Sequence, residues 1–279
     1  MTGNTGNTGN TGNTGNTGNT GNAGNVGDPG GGWFFADRVN FPFVDEPKLN
    51  IQPASPVEEG YPDRAWGSFW YAWQTLAEFV GTVDWQSIDL GPPDLTNTAQ
   101  ELQKLLDLDR NQRADALGEI LAQKDEFLSY FMELMSISPH SHPWTHRVLQ
   151  SASLIALFMA QYYKGVYKRQ RPSQLCSALL PPIQAPGHAS YPNGHSTQAH
   201  LIAFLAGSLL PASASALKNN LVVLADRIAH NREIAGLHYC SDTAAGVTLA
   251  TNIFDALQPA IAQMPFLLAA VTAAQGEWS

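Results

Sequence analysis

The chain has 279 residues, 44% of them hydrophobic and 14% charged, with a formal net charge of −9 at pH 7. That length can bury one large core or two small ones, and the acidic balance argues against a nucleic-acid-binding surface, which needs a clustered cationic face. The two cysteines, Cys176 and Cys240, are too few for a disulfide framework and fit no metal-ligand spacing, so both are expected as buried thiols.

Residues 2–22 are seven copies of Thr-Gly-Asn, followed by AGN, VGD and PGGG. Glycine at every third position is the collagen period, but a triple helix also needs abundant proline, and none occurs before Pro29. The repeat has no apolar side chain to bury, so nothing offsets the entropy of ordering it. Residues 1–31 are therefore expected to be a disordered low-complexity tail, and residues 32–279 a single helical domain. The N-terminus carries neither the basic nor the apolar region of a signal peptide. No uncharged apolar run reaches the roughly 18 residues of a membrane span; the longest, 201–216, is interrupted by Gly207, Ser208 and Pro211. A soluble, cytoplasmic protein without an integral membrane segment is the expectation.

Residues 33–64 are aromatic and proline-rich without sustained periodicity, and should form irregular structure lying against the domain. Helical patterns follow. Residues 65–80 carry Trp66, Phe69, Trp70, Trp73, Leu76 and Phe79 at spacings of three and four. Residues 97–106 and 111–135 read as two further helices. Residues 142–169 form a long pattern, apolar on one side, with Pro143 suited to a first turn. After Arg171-Pro172 comes a loop with Pro181, Pro182 and Pro186. Residues 194–210, 214–234, 241–257 and 265–274 then read as helices. No strand alternation is apparent, so the fold class is all-α, a single bundle of about six or seven core helices.

Three segments concentrate reactive and cationic side chains. In KGVYKRQRP, residues 164–172, Lys164 and Arg171 are seven apart and would share a helix face, with Pro172 disfavouring helix at the residue before it. Alone, this segment also reads as a solvated basic helix end, and Lys168 and Arg169 either steer an anion or solubilise that end. In HASYPNGHS, residues 188–196, Gly194 permits close backbone approach and the following helix points its N–H groups outward, a fit for an anion; Asn193 is a candidate cap. In NREIAGLHYCSD, residues 231–242, Arg232 falls near a helix end, Gly236 breaks the helix, and Ser241 is a candidate N-cap. His238 and Asp242 are four apart, close enough for the carboxylate to hold one imidazole nitrogen and leave the other free.

Together these supply three cations, a glycine-led helix N-terminus and two histidines, an inventory suited to phosphoryl transfer or tetrahedral oxyanion binding. His140, His142 and His146 share no helix face and have no carboxylate among them. His195 and His200 are five apart, not the H-x-x-x-H spacing of zinc hydrolases. No metal site is expected, and His200 and His230 read as packing or surface residues.

The order K-x6-R-P, Y-P-x-G-H, R-x5-H-x3-D, running from Lys164 to Asp242, resembles the type 2 phosphatidic acid phosphatase and vanadium haloperoxidase superfamily. SYPNGHST and GLHYCSD are also similar to the soluble bacterial acid phosphatases. The resemblance implies a metal-independent phosphohydrolase acting on a small-molecule phosphate ester, with no cofactor. In it Lys164, Arg171, Arg232 and the Gly194 N–H would hold the phosphoryl oxygens. His238 would form a phosphohistidine, with Asp242 keeping its tautomer, and His195 would protonate the leaving group and then activate water. Asn193 stands where the family has serine, and its amide has protons to donate to an oxyanion. His188 stands where vanadium bromoperoxidases of the superfamily commonly carry a histidine. The alternatives are therefore a haloperoxidase with vanadate on His238, or a non-catalytic oxyanion-binding member.

Overall fold

The computed structural model describes residues 61, 62 and 65–279. The repeat tail and nearly all of the 33–64 stretch lie outside the described residues. Among the described residues there are eight helices of two turns or so and longer: α1 Ser68–Thr82, α2 Thr98–Ala122, α3 Leu128–Leu134, α4 Pro143–Tyr167, α5 Gly194–Leu209, α6 Ser215–Ile234, α7 Cys240–Ala260 and α8 Pro265–Gly276. A single helical turn, Pro172–Leu175, follows α4, and no strand occurs among the described residues. The all-α expectation holds.

Three boundaries differ from those read in the sequence. The two helices expected at 97–106 and 111–135 are one continuous helix, α2, with the break at 123–127 instead. The polar stretch 107–113 looked like a connection, but it contains no glycine or proline, and its charges support a helix through the Arg113–Asp109 pair at 2.6 Å. The true break is set by Glu126, whose carboxylate accepts the Leu128 N–H at 2.7 Å and opens α3. Helix α4 stops at Tyr167, where Lys168 takes a left-handed φ of 51°, so Lys164 and Arg171 do not share a helix face. The N-cap of α7 is Tyr239 rather than Ser241; Asp242 reaches back to accept the Tyr239 N–H at 3.1 Å.

Helix α5 is the centre of the molecule. It packs against α4, α6 and α7, and its buried residues run through Thr197, Gln198, Ala199, His200 and Leu201 without an exposed stripe, as expected of a helix enclosed on all sides. Helices α1 and α8 cover the first half of α4. Their ends are tied by carboxylates: Glu277 accepts the Trp144 and Thr145 N–H groups at the start of α4 at 2.9 and 2.8 Å, and Glu78 of α1 accepts the Phe266 N–H of α8 at 2.7 Å. Helix α2 lies along α6. Cys176 and Cys240 are unbridged and half-buried rather than fully buried.

The N-termini of α5 and α7 meet at Gly246. A Cβ there would lie 2.6 Å from Ser196 Cβ and 2.8 Å from the Asn193 carbonyl oxygen, closer than packed carbons approach. The Ser196 hydroxyl donates to the Thr243 carbonyl at 2.9 Å, stitching the same junction. Gly246→Ala should therefore destabilise the fold by about 1–3 kcal/mol, the usual cost of overpacking. Gly118→Ala, where a Cβ meets nothing within 4 Å, should stabilise by about 0.5–1 kcal/mol through helix propensity. Urea unfolding of both variants checks the contrast; equal midpoints would show that the α5–α7 approach is not tight.

Candidate active site

One pocket gathers the end of α4, the loop after it, residues 188–193, the first turn of α5, the end of α6 and the first turn of α7. Lys164, at the last turn of α4, points its ammonium into the 189–192 backbone. It donates to the carbonyls of Ala189, Ser190 and Pro192 at 2.8, 2.8 and 2.5 Å, which uses all three of its protons. Arg171 is equally engaged. Its Nε donates to the His188 carbonyl at 2.9 Å and Nη1 to the Leu237 carbonyl at 2.9 Å. Its guanidinium also meets two imidazoles, His238 Nε2 3.3 Å from Nη1 and His188 Nδ1 3.0 Å from Nη2, and the Ala189 carbonyl 3.5 Å from Nη2.

One of those contacts assigns a tautomer. A guanidinium only donates, so His238 Nε2 is an acceptor; His188 Nδ1 lies between Arg171 Nη2 and the Ala189 carbonyl at 3.2 Å, and these contacts select neither of its tautomers. The proton of neutral His238 is then on Nδ1, which faces Asp242 Oδ2 at 3.3 Å. Oδ2 also accepts the Ser190 hydroxyl and the Tyr239 N–H, while Oδ1 accepts Arg169 Nη1 at 2.7 Å. His195 is held differently. Its Nε2 donates to the Gln123 carbonyl at the end of α2 at 3.1 Å, leaving Nδ1 as the acceptor, and its ring sits 5.2 Å from that of Phe127.

Arg232 completes the group from the end of α6. Only Nη2 has a partner, the Ile120 carbonyl at 3.1 Å; Nε and Nη1 are buried without one. Lys164, Arg171 and Arg232 are 3%, 3% and 1% exposed. The ion pairs nearby belong to Arg169, with Glu101 and Asp242, and none of the three buried cations is paired with a carboxylate among the described residues. Burial pushes Lys164 well below the usual lysine range and brings Arg171 and Arg232 down to about 10. Asp242 offsets part of the charge on Lys164 and Arg171, but three buried cations outnumber that one carboxylate, which already pairs with Arg169, a charge balance suited to an anion. Gly194 opens α5 beside it, and a Cβ there would meet only Lys164 Cε, at an ordinary 3.9 Å.

The same burial acts on the histidines. His188 falls to about 4, through desolvation and then the charges of Lys164 and Arg171. His195 and His238 are held well below their usual value by burial and, next, by Arg232 and Arg171 respectively. A cleft of about 520 Å³ opens beside this group, lined in part by Lys168, Gln170, Arg171, Gln174 and His188. Among the described residues no group of three or more His, Cys, Asp or Glu is placed to hold a metal ion, and no single helix is long and apolar enough to cross a membrane.

Lys164, Gly194, His195, Arg232 and Asp242 thus converge from four helices, and Arg171 and His238 from the loops between them, with His188 at the rim. Asn193 is a correction. The sequence reading allowed its amide to donate to an oxyanion, but Nδ2 donates to the Ala229 carbonyl and Thr243 Oγ1 at 3.4 and 3.2 Å. Its Oδ1 caps α5 by accepting the N–H groups of His195 and Ser196 at 3.1 and 3.3 Å. It is a buried cap that shapes the turn. Arg169 is the converse: read as a surface residue, it is 6% exposed and its guanidinium lies 3.8 Å from the centre of the Tyr239 ring. Glu101 was not singled out at all. No local signal marks it, because it lies far upstream in α2. His200 is a packing residue, as read, buried between the Ser196 carbonyl and Asp226.

No protein-family model matches the chain. Over 108 residues, 38% of its length, it is 31% identical to the decaprenylphosphoryl-5-phosphoribose phosphatase of Mycobacterium tuberculosis, in both the CDC 1551 / Oshkosh and the ATCC 25618 / H37Rv strains. The match covers 55% of those proteins, so the chain spans about half the length of the curated relatives it matches.

Two outcomes are expected. His146 and His188 have folded-state values of about 4 against 6.5 unfolded, and His195 and His238 shift the same way. The folded chain then binds fewer protons than the unfolded one between about pH 6.5 and 4. Stability should be full above pH 6.5 and fall steadily as the pH drops toward 4, with His230, raised by Glu233, opposing it weakly. Thermal melts from pH 7.5 to 4.5 check this, and a flat melting temperature contradicts neutral burial of these rings. Asn193→Ser should keep the cap but strip the Ala229 carbonyl and Thr243 Oγ1 of their donor, costing about 1–2 kcal/mol in urea unfolding; a gain in stability would remove the amide from that role.

Proposed function

We propose that the chain is a metal-independent phosphohydrolase of the type 2 phosphatidic acid phosphatase and haloperoxidase kind, acting on a phosphate ester through a phosphohistidine. The observation that carries this reading is the set of three buried cations with no direct ion pair to a carboxylate, beside a histidine that carries its lone pair on Nε2. The likeness to a phosphatase supports the same reaction class.

In this reading the phosphoryl group occupies the cationic pocket. Arg232 offers its unpartnered Nε–H and Nη1–H, and the Gly194 N–H adds a donor at the helix N-terminus. Lys164 and Arg171 already bond to carbonyls and imidazoles, so they act chiefly by charge, which is strong in a buried site. His238 Nε2 attacks phosphorus, the N–P bond forms and the ester P–O bond breaks. Asp242 holds Nδ1–H and balances the cationic phosphoimidazole. His195, with Nε2–H fixed on Gln123, carries the transferable proton on Nδ1. A bound phosphate dianion favours that protonated form, offsetting the burial that disfavours it. The proton goes to the leaving alkoxide. His195 Nδ1 then takes a proton from water, whose oxygen attacks phosphorus and frees His238 and inorganic phosphate.

The vanadate haloperoxidase alternative finds less support. Burial and then the charges of Lys164 and Arg171 bring His188 down to about 4, so it is neutral at physiological pH and a poor proton donor to a bound peroxide.

His238→Ala should lower turnover of p-nitrophenyl phosphate, assayed with EDTA present, by on the order of 10⁴-fold or more. Rapid quench of the wild type should trap an acid-labile phosphohistidine at His238. Orthovanadate should inhibit competitively, as a five-coordinate mimic of the transition state. Wild-type turnover surviving in His238→Ala would overturn the reading, as would robust vanadate-dependent bromination with no esterase activity.

A further inference from the structure

Asp242 divides its two oxygens between two tasks. Oδ2 faces the reactive side, taking His238 Nδ1, the Ser190 hydroxyl and the Tyr239 N–H. Oδ1 faces away, onto Arg169 Nη1 at 2.7 Å. Arg169 is itself held by Glu101 in the first turn of α2, Nη2 to Oε2 at 2.9 Å. Ser241 closes the ring: its N–H and hydroxyl donate to Glu101 at 2.7 and 2.9 Å, and its Oγ accepts Arg169 Nη1 at 2.7 Å. Glu101, Arg169 and Asp242 are buried, at 7%, 6% and 0% exposed, and Ser241 is half-buried.

We infer that Glu101 and Arg169 are positioning residues that fix the charge on Asp242, and through it the tautomer and basicity of His238. This inference rests on the phosphohydrolase reading above. A carboxylate with no exposure takes up a proton unless a cation stands beside it, and a protonated Asp242 is a far weaker acceptor for His238 Nδ1–H. Without that anchor the imidazole has no reason to keep its lone pair on Nε2. Arg169 supplies the cation. Glu101 fixes the guanidinium fork and offsets its charge. Two carboxylates against one guanidinium leave the resting chain with one negative charge, which becomes neutral when His238 turns cationic on attacking phosphorus. The other charged or titratable groups facing the Asp242–His238 pair are Lys164, Arg171, His188 and His195, with Tyr191 and Tyr239 beside Asp242; the cations and the histidines all disfavour that imidazolium when charged, so the relay is its counterweight.

Opposite charges on one line give opposite signatures, which a packing role would not. The pair titrates as a unit. In the full-length chain, Arg169→Gln should lower kcat for p-nitrophenyl phosphate by on the order of 10²-fold with KM changed less than about threefold. It should also move the acid limb of the kcat–pH profile to higher pH, because loss of the cation makes the pair bind its proton more tightly. Arg169→Lys should recover part of both effects. Glu101→Gln should cost less than about tenfold and move the limb the other way, to lower pH. NMR titration of the His238 ring in ligand-free protein should shift in the same two directions, independently of turnover. Circular dichroism establishes that each variant folds; if Arg169→Gln does not, Arg169→Lys and Glu101→Gln carry the test. Folded variants with an unmoved acid limb and unmoved His238 titration would overturn the relay. Absence of a phosphohistidine at His238 in the wild type would instead overturn the phosphohydrolase reading, leaving the NMR shifts to judge the relay.

Discussion

The structure turns on the burial of Lys164, Arg171 and Arg232 without a direct carboxylate partner. Placing like charges in a common interior is unfavourable twice over, through lost hydration and mutual repulsion. The fold tolerates it by lending the first two cations a shell of backbone carbonyls, from residues 188–192 and 237, and leaves Arg232 partly unmet. Backbone carbonyls carry partial charge only. They hold the side chains in place without neutralising them, so the net positive potential persists. A pocket of that kind suits a compact anion.

Around this core of charge the histidines are kept neutral, and the proton positions of His238 and His195 are set by partners that have no choice of role. Arg171 only donates, so His238 must accept at Nε2. The Gln123 carbonyl only accepts, so His195 must donate at Nε2. The two rings, one offering a lone pair and the other a site for a proton, are thus differentiated by second partners contributed from distant parts of the chain. Asp242 anchors the arrangement, and its own ionisation depends on Arg169 and Glu101. The charge pattern therefore has layers: cations at the pocket, a carboxylate behind the imidazole, and an ion pair behind the carboxylate.

The helical scaffold makes such spacing hold. Helix α5 is enclosed on all sides, so its first turn cannot shift without disturbing α4, α6 and α7. At Gly246 the α7 backbone comes so close to Ser196 and Asn193 that no side chain fits between. Asn193 ties the same junction with four hydrogen bonds. The first turn of α5 and the His238–Asp242 turn that opens α7 are thereby fixed relative to one another by direct packing, which keeps donors at hydrogen-bond distances from their acceptors.

Much of this was legible in the residues alone. The 3.6-residue period located most helices, because burying an amphipathic face leaves that period in the sequence, and spacing brought forward Lys164, Arg171, His195, Arg232, His238 and Asp242. Spacing failed where the reason lay elsewhere. The polar stretch 107–113 reads as a break but stays helical, since ion pairs support it and nothing forbids it. Lys164 and Arg171 meet at one pocket through a left-handed turn at Lys168, not along a helix face. Asn193 has an amide suited to an anion, yet the packing of α6 and α7 claims both of its protons. Arg169 and Glu101 are separated by 68 positions, and nothing local distinguishes a buried arginine from a solvated one. The sequence by itself determined which side chains could do chemistry and which helices carry them, because composition and period are local properties. Tertiary structure alone decided which protons are free, which charges are paired and which are left wanting an anion, because those depend on partners that only folding brings within reach.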